Sequence, residues 1–234
     1  MKVAIMQPYF FPYIGYFQLI NAVDYFVFYD DVNYIKQGWI NRNRILVNNE
    51  AKYITIPLKK LSSFIPIKNI EINPELKEYK TMLKTIEMAY KKAPYFHAIF
   101  NLINEVLNKE YKTLAEITIK SVKSCCEYLD IKTQFYVASE DFATTKGLER
   151  AERLQTICKQ LHANQYINAL GGQELYSKED FTKEKIQLQF IQSKAITYKQ
   201  FGNHFVPWLS IIDVLMFNSK EEVKELLNQF ELIK

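Results

Sequence analysis

Two unbroken apolar runs near the start of the chain, each closed by a polar joint, restrict the possible fold more than any other feature. Val3-Ala4-Ile5-Met6 stops at Gln7-Pro8, and Tyr25-Phe26-Val27-Phe28-Tyr29 stops at Asp30-Asp31. Runs without polar alternation read as strands covered on both faces, which is the pattern of a parallel sheet. Parallel neighbours need a crossover, and the segment between them supplies one: a Pro-bounded turn, Gly15, and then Tyr16-Phe17-Gln18-Leu19-Ile20-Asn21-Ala22 as one or two helical turns. The opening is therefore a strand, loop, helix, strand unit. Twelve of the chain's 34 aromatic residues lie in its first 40 positions, enough to build a dense local core. In such sheets ligands occupy the crevice beyond the carboxyl ends of the strands, where Gln7, Asp30 and Asp31 fall.

The rest of the chain extends this α/β reading. Residues 34–58 hold two β-rich runs across Asn48-Asn49-Glu50 and predict a hairpin. From Pro74 to about Leu129 the apolar spacing becomes helical, with an interruption at Pro94, and predicts a helical insertion or layer over 74–129. Further strands are expected at Thr133–Ala138, Gln165–Ala169 and Ile186–Phe190. Further helices are expected with the stripe Leu148, Ala151, Leu154, Cys158, Leu161, at Gln173–Phe181, over Pro207–Phe217, and from a capping box at Ser219 and Glu222. The expected architecture is one α/β domain over 1–234, a Rossmann-like, mostly parallel sheet whose first unit is nucleotidylyltransferase-like.

Composition narrows the function classes. Thirty basic against 26 acidic residues leave +4, too small and dispersed a balance for a nucleic-acid surface. There is no apolar run of about 18 residues and the N-terminus is a poor signal peptide, so a cytoplasmic protein without membrane insertion is expected. The three cysteines, Cys125, Cys126 and Cys158, have neither disulfide-framework nor metal-pair spacing and read as reduced helix residues. No metal site is expected.

Four strands end in polar or glycine-containing joints: Gln7-Pro8, Asp30-Asp31, Ser139-Glu140-Asp141, and Asn168 followed by Gly171-Gly172. On one rim, carboxylates there can act as bases or hold sugar hydroxyls, and the glycine pair lets backbone N–H groups approach an anion. The same pair can also be a plain turn, since no complete phosphate-binding motif is present. Arg42 and Arg44, with Lys36, Asn41 and Asn43 nearby, form the most concentrated cationic cluster. Strand alternation places both arginines on one face, where two guanidinium forks suit a diphosphate. The alternative is a solvated hairpin face.

Tyr13-Ile14-Gly15-Tyr16 has the spacing of the H-x-G-H loop of nucleotidylyltransferases, with both histidines replaced by tyrosine, and Thr144-Thr145-Lys146-Gly147 echoes their late phosphate-binding loop. His97 and His162 have no partners in sequence and read as structural or surface residues. His204 lies in a Pro207-bounded loop near Ser210 and Asp213. Asp213 sits inside an apolar helix and must be paired, either capping a loop or orienting a site group.

The stretches Met6-Gln7-Pro8-Tyr9, Pro12-Tyr13-Ile14-Gly15-Tyr16, Asp24 to Asn33, Trp39-Ile40-Asn41-Arg42, Leu170-Gly171-Gly172 with Tyr176, and Leu209-Ser210-Ile211-Ile212-Asp213 resemble the WbqC-like family across essentially the whole chain. That resemblance implies a role in bacterial O-antigen and surface-polysaccharide biosynthesis, beside enzymes that build unusual amino sugars. The expected function is an enzyme acting on a nucleotide-linked amino sugar, by N-acyl or aminoacyl (for example glycyl) transfer to the sugar amine. The alternatives are nucleotidylyl transfer or a non-catalytic nucleotide-sugar-binding partner of a glycosyltransferase. The cofactor stays open, with ATP as a co-substrate compatible with an adenylate route like that of pantothenate synthetase. The candidate catalytic groups are Asp31, Asp30 and His204, with Asp31 ranked first because strand alternation turns it away from the capping position of Asp30 and into the crevice. The candidate binding groups are Gln7, Tyr9, Tyr13, Gly15, Tyr16, Lys36, Asn41, Arg42, Arg44, Lys146, Gly171, Gly172, Ser210 and Asp213.

Overall fold

The structure is a computed structural model that describes residues 1–233. In chain order the elements are β1 (Lys2–Met6), α1 (Ile14–Asn21), β2 (Tyr25–Phe28), β3 (Arg42–Val47), β4 (Glu50–Thr55), α2 (Lys77–Tyr90), α3 (Phe96–Leu107), α4 (Leu114–Tyr128), β5 (Gln134–Val137), α5 (Ala138–Asp141), α6 (Arg150–Gln160), β6 (Gln165–Ala169), α7 (Lys178–Lys183), β7 (Gln187–Ser193), α8 (Ile211–Phe217), α9 (Lys220–Leu226) and β8 (Phe230–Ile233). Six strands form one sheet in the order β5-β2-β1-β6-β7-β8, parallel except for the antiparallel edge strand β8. The hairpin β3-β4 stands apart from it. No helix among the described residues is long and apolar enough to cross a membrane.

The opening unit forms as its apolar runs require. Ala4, Phe26 and Phe28 face a core shared with the helical layer, whereas Val3, Ile5 and Val27 face a second core under α6 and α7. Burial on both faces removes any reason for polar alternation. Ile14 through Ile20 of α1 are all buried, which suits a helix apolar on every side. The hairpin turn is Asn48-Asn49, both with positive φ (53° and 63°), the conformation that matches the strand twist and that Asn tolerates. Capping boxes start α4 at Thr113 and Glu116 and α9 at Ser219 and Glu222.

Three expectations differ. The helix expected over Gln173–Phe181 is instead a 3-10 turn, Leu170–Leu175, followed by the shorter α7. The segment expected to be helical from Pro207 stays irregular until Ser210 caps α8. Strand β8 had no signal because Phe230-Glu231-Leu232-Ile233 is short and pairs only along the outer edge of β7.

The strand order reverses between β1 and β6: β1 leads outward to β2 and β5 on one side, and β6 leads to β7 on the other. The β1-β6 ladder covers only Lys2 with Gln165 and Val3 with Tyr166. Beyond those pairs the two strands part toward their carboxyl ends, and the crevice between them is the switch point where open α/β sheets take ligands.

Candidate functional site

A cleft of about 770 Å³ opens at that switch point. Its floor is Met6 of β1 with Ala169, Leu170 and Gly171 after β6; one wall is Tyr9, Tyr13, Gly15 and Tyr16, and the other is Trp39, Asn43, Arg44 and Trp208, with Ile191, Gln192 and Ser193 of β7 behind. Tyr9, Tyr13, Gly15, Tyr16, Arg44 and Gly171 are thus brought together as the sequence suggested. A Cβ on Gly15 would lie 2.3 Å from the Tyr13 ring and 2.7 Å from Ser193 Oγ, so only glycine lets these two groups close on one another.

The loop carrying this wall is held from three sides. Asn43 Nδ2 donates to the carbonyls of Phe10 (3.3 Å) and Phe11 (2.8 Å), Ser210 Oγ donates to the Phe11 carbonyl (2.6 Å), and Phe11 N–H donates to Ser121 Oγ of α4 (3.1 Å). Hairpin, α8 and α4 therefore meet on Phe10-Phe11, and Phe11 takes a positive φ of 37° there. Backbone strain at a non-glycine residue persists only when surrounding contacts fix it.

The hairpin presents a stacked ladder to the cleft mouth. The Arg42 guanidinium lies 4.6 Å from the Tyr53 ring centroid, Tyr53 stacks on Trp39 at 6.2 Å, and Arg44 lies 5.5 Å from the Trp39 centroid. The two arginines end differently. Arg42 donates through Nε to the Gly38 carbonyl (3.1 Å) and through Nη2 to the Gln37 carbonyl (2.5 Å), so its fork closes its own loop rather than facing a ligand. Arg44 donates once, from Nη2 to the Trp208 carbonyl at 3.2 Å, and its buried Nε has no hydrogen-bond partner among the described residues. The side-by-side pair of forks is thus reduced to one available guanidinium.

Burial pushes the Tyr9 phenol up to about 12, with Tyr13 beside it adding to the shift, and raises Tyr13 and Tyr16 as well. These groups stay protonated at neutral pH, and the Tyr16 hydroxyl donates to the Gln7 carbonyl at 2.8 Å. They are hydrogen-bond donors and apolar walls, not bases.

The expected rim acids lie elsewhere. Asp31, expected to be a free carboxylate facing the crevice, is buried and paired: Arg153 Nη2 donates to its Oδ2 at 2.7 Å, Arg153 Nε donates to Thr145 Oγ1 at 3.0 Å, and the guanidinium covers Tyr29 at 4.7 Å. Strand alternation did turn Asp31 away from Asp30, but toward α6 rather than toward the crevice. Asp30 accepts from Ser139 N–H (3.0 Å) and Ser139 Oγ (2.7 Å), tying β2 to the start of α5. It borders a separate groove between the sheet edge and the helical layer, with Lys68, Lys123 and Glu140.

Burial raises the Asp30 carboxyl above the usual aspartate range, with the two Ser139 donors opposing the shift. The folded state then holds this proton more tightly than the unfolded chain. The associated stability is present below the unfolded-state value and lost as pH rises through the raised folded value. Wild type is expected to lose stability relative to Asp30→Asn across that interval, read from paired thermal melts over a pH series; parallel curves would contradict it.

Other candidates are not at the cleft. His204 and Lys146 are exposed in loops, as is Lys36, and none of them lines the cleft. Asn41 is buried, accepting from Tyr34 hydroxyl (2.8 Å) and donating to the Ile56 carbonyl (2.9 Å). Ser210 clamps Phe11 and caps α8, so it positions the wall without facing a ligand. Asp213 is fully buried and accepts from Tyr90, Tyr198 and Gln200. Gly172 lies under Asn168, where a Cβ would come within 2.4 Å of Nδ2, and the glycine pair belongs to a 3-10 turn rather than an α-helix start. The Gln7 backbone takes part through its carbonyl, at the end of β1. All three cysteines are buried and free, and burial raises their thiols. His97 and His162 are exposed.

Trp208 and Ser193 are among the cleft residues that the sequence does not single out. Trp208 falls at the start of the segment expected to be helical from Pro207, and Ser193 just beyond the strand expected over Ile186–Phe190, although Trp208 is one of just two tryptophans in the chain and the other, Trp39, lines the same wall.

The structure thus defines an α/β protein with a parallel-sheet switch-point cleft walled by aromatics and one available arginine. The sequence profile of the WbqC-like protein family matches residues 7–225, and the chain belongs to that family. It is also similar to a protein of Mycobacterium tuberculosis (strain ATCC 25618 / H37Rv) described as "Uncharacterized protein Rv1507c", 29% identical over 228 residues that cover 97% of each chain. No solved structure matches.

Proposed function

We propose that the cleft binds a nucleotide-linked amino sugar and that the protein modifies it in bacterial surface-polysaccharide biosynthesis, by acylating the sugar amine. The observation that carries this reading is Arg44: a guanidinium with a buried, unpartnered Nε, set between Trp39 and Trp208 at the switch point. A guanidinium donates to a phosphate or carboxylate bidentately, and flanking indoles offer flat faces for a base or sugar ring. A cleft of this volume is within the range of pockets that enclose small ligands.

One observation favours the binding-partner alternative. Among the described residues no carboxylate or histidine lines the cleft, and its tyrosines are held protonated, so the base that an attacking amine needs comes from outside those walls. Asp30 is the rim carboxylate bordering open space, with a raised proton affinity suited to a base, although it borders the neighbouring groove.

The two tryptophans make the test direct, because both line the cleft and selectively excited tryptophan fluorescence reports its occupancy. Titration with UDP-, dTDP- and GDP-linked amino sugars and with ATP is expected to give saturable quenching for a nucleotide sugar. Arg44→Ala should weaken it by about 1.5–3 kcal/mol, the usual loss for a hydrogen bond to a charged group. Arg42→Ala should change it little, since that fork is occupied by Gly38 and Gln37. Equal affinity in wild type and Arg44→Ala would remove the ligand assignment. Saturable binding with no product, given sugar nucleotide, ATP and an acyl or amino acid, would leave the binding-partner reading standing.

A further inference from the structure

Behind Trp208 lies a second chamber of about 240 Å³, bounded by the segment that follows β7 and by α8 and lined mainly by apolar atoms, among them those of Ile196, Phe205, Leu209 and Val214. Five residues, Tyr13, Gly15, Ser193, Ala195 and Trp208, line both chamber and cleft, so the two are adjoining compartments of one site. Two features hold the partition. Gly15 has no side chain where any Cβ would strike the Tyr13 ring and Ser193 Oγ. Trp208 has a left-handed φ of 60°, is 61% exposed as a residue, and makes an edge contact with Tyr13 at 6.0 Å. A large aromatic held in a disfavoured backbone conformation and exposed at a cavity mouth fits a ligand wall better than a core residue.

We infer that this chamber holds the apolar tail of an acyl group whose polar head lies in the adjoining cleft, past Tyr13, Ser193 and Trp208. The inference rests on the cleft being the ligand site and narrows the group transferred from a glycyl unit to a hydrocarbon chain or ring. An apolar cavity of ~150 Å³ takes a benzene ring, so this chamber fits roughly six to ten carbons. The polar side chains in its lining, such as Ser193, Lys194, Thr197 and Tyr198, include no carboxylate among the described residues to pair an ammonium, which disfavours an aminoacyl group of the same size.

The probes are straight-chain carboxylic acids from acetate to decanoate, titrated against the full chain by tryptophan fluorescence, with a UDP-linked amino sugar titrated in parallel. Wild type is expected to bind about fourfold tighter for each added CH₂, levelling near octanoate. Thr197→Phe, at an exposed position that lines the chamber and not the cleft, is expected to fill it, stop the gain near butanoate and leave sugar-nucleotide affinity unchanged. Affinity independent of chain length, or an unaltered length series in Thr197→Phe, overturns the inference. A length series in wild type without any response to nucleotide sugars leaves the chamber assignment standing and removes the proposed function instead; the converse removes the chamber alone.

Discussion

An Arg153→Met chain is expected to unfold with about 3–5 kcal/mol less free energy than wild type, the loss seen when one partner of a buried ion pair is removed. The side chains of Arg153 and Asp31 are 6% and 1% exposed, and their contact at 2.7 Å joins α6 to the end of β2. Removing the guanidinium leaves a carboxylate in a low-dielectric site. Asp31 Oδ1 already lacks a partner among the described residues, so loss of Arg153 leaves both carboxylate oxygens without a hydrogen bond. Thr145 Oγ1 and the face of Tyr29 lose their contacts with Arg153 as well. A double variant, Asp31→Leu with Arg153→Met, removes both charges at similar volume and is expected to recover most of the loss, because desolvation of the pair offsets much of its attraction. Urea denaturation of the three chains decides the matter: a single variant within about 1 kcal/mol of wild type would show that the pair is solvated and open to the rim.

That pair marks where sequence reading stopped. Strand runs, the hairpin at Asn48-Asn49, the helical layer and the capping box at Ser219 were legible because each is local: apolar period, turn residue and cap lie within a few positions of one another. The rim was legible too, since the ends of parallel strands share an edge by topology alone. Which rim residues face open space was not. Asp31 and Arg153 are 122 positions apart, and no short-range pattern shows that one neutralises the other. Arg42 and Arg44 share a face as alternation requires, yet the loop carbonyls of Gln37 and Gly38 occupy one and leave the other available. Asn43 and Ser210 carry polar groups that read as ligand contacts and instead hold the Phe10-Phe11 backbone. Buried backbone groups must find partners, and in this fold several of the apparent site residues supply them.

Asp213→Ala is expected to cost about 3–5 kcal/mol and, unlike the Arg153 change, to loosen the chamber and cleft. The carboxylate accepts from Tyr90 hydroxyl at 2.8 Å, Tyr198 hydroxyl at 2.7 Å and Gln200 Nε2 at 2.7 Å, three donors each costing ~1–3 kcal/mol when left buried and unmade, with incomplete additivity. Tyr90 also accepts from Leu46 N–H at 2.8 Å, so the hub links α2, β3 and α8. Gln200 in turn holds Val206 through both its N–H (2.8 Å) and its carbonyl (3.1 Å), closing the loop that leads to Trp208. Truncation at a buried position is thereby transmitted to an exposed indole. Asp213→Asn should cost less: its oxygen can keep the Tyr198 and Gln200 bonds while its amide donates to a reoriented Tyr90 hydroxyl. The order wild type, Asn, Ala should appear both in denaturation midpoints and in the Trp208 emission of a Trp39→Phe background, which should shift as the loop loosens. If Ala lowers stability but leaves Trp208 emission and fatty-acid affinity at wild-type values, the hub secures the core without governing the site.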